Sequence, residues 1–94
     1  MEPTHIMVHL RADAEAGSPA ITALRDSALT CGCAESAAFD IAGSAPSPDL
    51  ADATHAIWQV WYSEGLYRQW RDGLVAPEGV DIVGFLELAP VAGA

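Results

Sequence analysis

The sequence contains no lysine and only four arginines, set against thirteen acidic residues, for a formal charge of −9 over 94 residues. Four scattered cations cannot be assembled into the basic patch that a phosphate backbone requires. Composition therefore argues against a nucleic-acid partner, and equally against docking on anionic lipid. Cysteine is scarce: Cys31 and Cys33 are the only two, too few for a disulfide framework. They form C-x-C without a second pair that would complete a zinc site. No apolar run reaches the ~18–20 residues needed to span a bilayer. The opening Met1-Glu2-Pro3-Thr4-His5 lacks the basic start of a secretion signal, so the expectation is a soluble cytoplasmic protein without a membrane role. Neither a dinucleotide-binding glycine fingerprint nor a phosphate-binding loop is found, and no metal or cofactor is expected. What is present is a chain that is 51% apolar and 18% charged. That is enough to bury a core within one domain spanning residues 1–94.

Turn and cap signals divide the chain into six elements. The run His5–Leu10 is apolar and β-branched, a first strand. Ala14–Gly17 reads as a loop. Ser18 then caps a helix with Pro19 in its first position, where the missing N–H costs nothing. Ile21, Leu24, Ala28 and Leu29 make its apolar stripe, and Gly32 ends it. Ser36–Ala42, built on Phe39 and Ile41, is a second strand. The Gly/Ser/Pro-rich run from Gly43 to about Asp52 reads as a long hairpin loop. Thr54–Tyr62 is the strongest strand, rich in aromatic and β-branched residues. Ser63 caps a second helix with Glu64 in its first turn, Leu66, Tyr67, Trp70 and Leu74 on its apolar side, and Gly73 and Pro77-Glu78-Gly79 at its end. Val80–Leu88 is the last strand, and the tail Val91–Ala94 is expected to fray. The order β-α-β-β-α-β is the ferredoxin-like plan, an α+β fold with an antiparallel sheet.

Alternation along the strands places large apolar groups on both faces of that sheet. Ile57, Gln59 and Trp61 oppose Ala56, Trp58, Val60 and Tyr62. Ile82, Leu86 and Leu88 oppose Val83 and Phe85, and Ile6, Val8 and Leu10 oppose Met7 and two histidines. Two helices cover one face only. The other, with Trp58, Val83 and Phe85, would leave a patch larger than monomers tolerate. The expectation is a homodimer packed sheet to sheet.

From His5 to Leu88 the chain resembles the antibiotic-biosynthesis-monooxygenase group of the dimeric α/β-barrel superfamily. The resemblance rests on Gly32-Cys33 between the first helix and second strand, on the strand-to-helix passage Ile57-Trp58-Gln59-Val60-Trp61-Tyr62-Ser63-Glu64-Gly65-Leu66-Tyr67, and on the closing strand Val80–Leu88. It implies a dimer with a small-molecule chamber under the helices of each subunit. It further implies cofactor-independent oxygenation of an aromatic or quinol-type molecule. Tyr67 matches the group's pattern. Trp70 stands where many members carry a His, and Ile57 where quinone-forming members carry an Asn. Leu10 lies near the position of the first-strand Asn used by haem-degrading members, so haem degradation is not expected.

The candidate site residues follow from this reading. Trp61 and Tyr67 would wall the chamber, with Trp70 on its floor. An aromatic wall suits a flat substrate, and a phenol can donate to a substrate oxygen. Ordinary core packing is the plain alternative for all three. Gln59, polar within a buried strand, is either a satisfied structural amide or a hydrogen-bonder to substrate. His9, inside the first strand, would serve as general base if it faces the chamber, whereas alternation places it on the opposite side. His5 and His55 are expected to be solvated. Arg68 and Arg71 are read as surface cations paired with Glu64 and Asp72. Three functions remain open: a cofactor-free monooxygenase, an isomerase or cyclase of the same architecture, and a non-catalytic binding dimer.

Overall fold

The computed structural model describes residues 3–13, 18–41 and 53–88. The loops expected at Ala14–Gly17 and Gly43–Asp52 and the tail Val91–Ala94 lie outside them. Among the described residues six elements follow in order: β1 (Thr4–Ala12), α1 (Pro19–Thr30), β2 (Cys33–Asp40), β3 (His55–Trp61), α2 (Glu64–Asp72) and β4 (Val80–Leu88). Ser18 Oγ accepts from the Ile21 N–H and Ser63 Oγ from the Leu66 N–H, so both helix starts are capped by the expected residues. After α1 the chain reverses at Gly32, whose φ of +105° strongly favours a residue without a Cβ. A Cβ there would also stand 2.9 Å from Leu66 Cδ1 on α2.

The four strands form one antiparallel sheet in the order β2-β3-β1-β4. This is an α+β fold in a ferredoxin-like arrangement. β1 is paired on both sides, and its inward residues Ile6, Val8 and Leu10 are fully buried. Around them pack Ile21, Leu24 and Ala28 of α1, Ile57 and Trp61 of β3, and Tyr67 and Trp70 of α2. β2 begins three residues earlier than the sequence suggests. Cys33 already pairs with Trp61, and a register shift between Cys33 and Glu35 hides the strand period. Leu29, placed on the apolar stripe of α1, is instead 43% exposed.

The β1–β4 ladder shifts register between His9 and Leu10: His9 faces Gly84, whereas Leu10 faces Ile82. Val83 is thus the extra residue of a β-bulge, and the alternation of β4 changes phase there. Phe85 lies opposite the inward residue Val8 and joins Ile82 beneath the helices. Leu86 and Leu88 lie opposite Met7 and His5 on the other face. The open face therefore carries Phe39, Leu86 and Leu88, which are exposed, and Met7, Trp58 and Val60, which are half-buried. Phe85 is not part of it.

Candidate functional site

The aromatic residues expected to meet beneath the helices do so. Trp61 of β3 lies with its ring centroid 6.0 Å from Tyr67 and 5.5 Å from Trp70. Phe85 closes the group edge-on, 6.3 Å from Tyr67 and 6.2 Å from Trp70. These separations are those of packed aromatic pairs. Trp61 and Tyr67 are fully buried and Trp70 nearly so. The expected chamber behind them is thus filled by their own rings. Phe85 is the member that sequence reasoning missed, because only the bulge turns it inward.

Gln59 is fully buried beside Trp61. Its Oε1 accepts a 2.9 Å hydrogen bond from the Trp61 indole N–H, while its Nε2 finds no partner. Above this group, the indole N–H of Trp70 donates to Ser27 Oγ on α1 at 2.9 Å, and Ser27 Oγ donates onward to the Leu24 carbonyl at 2.7 Å. The Trp70 indole is thereby tied to α1.

Trp70 also floors a groove of about 380 Å³ between the two helices, lined further by Leu24, Ser27, Cys31, Gln69 and Leu74. A volume of this size lies within the range of small-molecule sites, roughly 300–1,000 Å³. This groove lies outside Trp70, between α1 and α2, with Ser27, Gln69 and the exposed Cys31 among the residues that line it. Cys33 is turned away and buried. Its thiol lies within bonding distance of the carbonyls of Glu35 and Val60, and burial raises its pKa above the ordinary 9.0.

His9 lies on the open face between the small residues Ala56 and Gly84. Alternation along β1 places it there, so the base role, which required His9 to face the chamber, is corrected: the sheet separates it from Trp61, Tyr67 and Gln59. Desolvation lowers its pKa below 6.5. His55 reverses its expectation too, because it is 3% exposed rather than solvated. Its ring nitrogens meet Thr54 Oγ1 at 2.7 Å and Asp40 Oδ1 at 2.9 Å. The series Asp40–His55–Thr54 has the composition of a nucleophilic relay, but Thr54 Oγ1 also accepts from the Ala12 N–H at 2.9 Å and lies 3.1 Å from the Ala12 carbonyl. A hydroxyl committed to backbone in this way fastens β2, β3 and β1 at one end of the sheet and is not free to attack a substrate.

The arginines behave as read. Arg68 Nε donates to Glu64 Oε1 at 3.0 Å. Arg71 lies 3.9 Å from Asp72 Oδ1 and also stacks over the Tyr67 ring at 5.3 Å, with Nη1 3.5 Å from the phenol oxygen. Among the described residues no three His, Cys, Asp or Glu side chains converge on a metal position, and no helix is long and apolar enough to cross a membrane. Comparison with protein-family models, curated proteins and solved structures finds no match to this chain.

Proposed function

We propose that the chain works as a homodimer and binds a small aromatic or quinol-type molecule in the groove between α1 and α2, without a cofactor. One observation carries the ligand reading: the groove is floored by an indole whose edge is held by Ser27 and whose inner side rests on Trp61. A fixed aromatic surface at the base of an apolar groove suits a flat ring, and Ser27, Gln69 and Cys31 supply the few polar contacts that orient it. The test is fluorescence titration with a hydroxyanthrone. Saturable quenching that Trp70→Leu abolishes is expected; no quenching by the intact protein rejects the reading.

The dimer rests on the open face of the sheet. Both helices lie on the other side, and Phe39, Trp58, Leu86 and Leu88 form an apolar surface of the kind that a second copy covers. Sedimentation should give twice 9.8 kDa, and Leu86→Glu should give the single chain. A 9.8 kDa species for the intact protein at micromolar concentration rejects the dimer.

The second reading is a cofactor-independent monooxygenase of the type the sequence resembles, in which the substrate reduces O₂ after losing a proton. The resemblance in sequence supports it, not the lining of the groove, to which neither Arg71 nor the buried Tyr67 contributes. Oxygen uptake with a bound hydroxyanthrone selects it over binding alone. Turnover without oxygen uptake selects an isomerase or cyclase.

A further inference from the structure

Among the described residues two side-chain atoms are buried and without a hydrogen-bond partner: Gln59 Nε2 and Ser36 Oγ. Their residues are directly opposed across β2 and β3. Directly opposed residues project to the same side of a sheet, with Cβ atoms about 4.5–5.5 Å apart. Here that side is the one beneath the helices, since Gln59 alternates with the core residues Ile57 and Trp61. The two orphan atoms therefore belong to one buried location.

The orientation of Gln59 is not free. Its Oε1 receives the Trp61 indole N–H. Reversing the amide would bring the Nε2 hydrogens against that N–H, donor against donor, so Nε2 stays on the side away from the indole. Its neighbour on the remaining flank is Ile6, which has no polar side-chain atom to offer. Ser36 is thus the polar residue directly opposite Gln59, yet the pair does not close into a direct bond. A buried amide N–H and a buried hydroxyl, adjacent but unbonded, lack one shared oxygen atom.

We propose that a single internal water molecule is bound between Gln59 Nε2 and Ser36 Oγ. It accepts from the amide and exchanges a hydrogen bond with the hydroxyl. Gln59 becomes the link between this water and the Trp61 indole, and the water holds the amide in the orientation that the indole requires. The site does not depend on the ligand reading, since neither Gln59 nor Ser36 lines the groove between the helices.

A high-resolution crystal structure of the full chain tests this directly. The expected result is density for one oxygen within about 3 Å of both atoms. In solution, nuclear Overhauser spectra of isotope-labelled protein should show a long-lived water beside the Gln59 side-chain amide protons. A direct bond between Gln59 Nε2 and Ser36 Oγ, or a dry gap between them, overturns the proposal, as does an amide without contact to long-lived water. Ser36→Val, which fills the location with a methyl group, should abolish the water signal and shift the Trp61 indole N–H resonance. An unmoved indole resonance rejects the positioning role.

Discussion

The indole N–H of Trp70 donates to Ser27 Oγ across the gap between the two helices, at 2.9 Å. The bond joins α1 to α2 at the point where each borders the groove, so one contact serves both the packing of the helices and the placement of the groove floor. Ser27→Ala should remove about 1 kcal/mol of stability, the usual net worth of such a bond. It should also broaden the orientation of Trp70, seen as altered fluorescence anisotropy. An unchanged denaturation midpoint and unchanged anisotropy would count against the bond.

Gly32 meets two constraints, a positive φ and the approach of Leu66. Gly32→Ala should cost about 1–3 kcal/mol through backbone strain, with steric overlap added. Leu66→Ala in that background should recover the steric part and leave the backbone part. Full recovery would mean that the φ carries no cost.

Trp61 touches Tyr67, Trp70 and Gln59 from a fully buried position. Trp61→Ala should cost about 3–5 kcal/mol. Against a total stability of about 5–15 kcal/mol for a typical domain, that is enough to bring the protein to the edge of unfolding. Chemical denaturation gives the value, and a loss under 1 kcal/mol would contradict the packing described.

His9 makes stability depend on pH in a definite direction. Its folded-state pKa lies below 6.5 because burial disfavours the imidazolium. Between the two values the unfolded chain binds more protons than the folded one, so stability rises with pH through this window and declines as pH falls through 6.5. His9→Gln should flatten that part of the profile. A wild-type stability that increases on acidification through the same window would refute the assignment.

The two thiols should separate in reactivity. Cys31 is exposed at the groove, whereas Cys33 is buried with its thiol pKa raised by desolvation. A thiol reagent at pH 8 should modify one equivalent rapidly and the second only after unfolding. A saturating groove ligand should slow the first reaction. Equal rates for both thiols in the native protein would contradict this burial pattern.

Much of the fold is legible along the chain because its signals are local. Ser18-Pro19 and Ser63-Glu64 mark helix starts through their own backbone chemistry, and both helices begin there. The strand identity of Thr54–Tyr62 follows from aromatic and β-branched residues that suit a pleated surface. The meeting of Trp61, Tyr67 and Trp70 follows from their places on one strand face and one helix face. The groove is less legible, since Ser27 and Trp70 are 43 residues apart and neither announces the other.

Local chemistry thus determined the six elements, their caps and the inward face of β1 and β3, because periodicity and capping act over a few residues. Tertiary structure decided which side Phe85 takes and that His55 is enclosed by Asp40 and Thr54. The reason is pairing between distant strands: one extra residue at Val83 inverts every later side chain of β4, and no pattern within β4 itself records the shift.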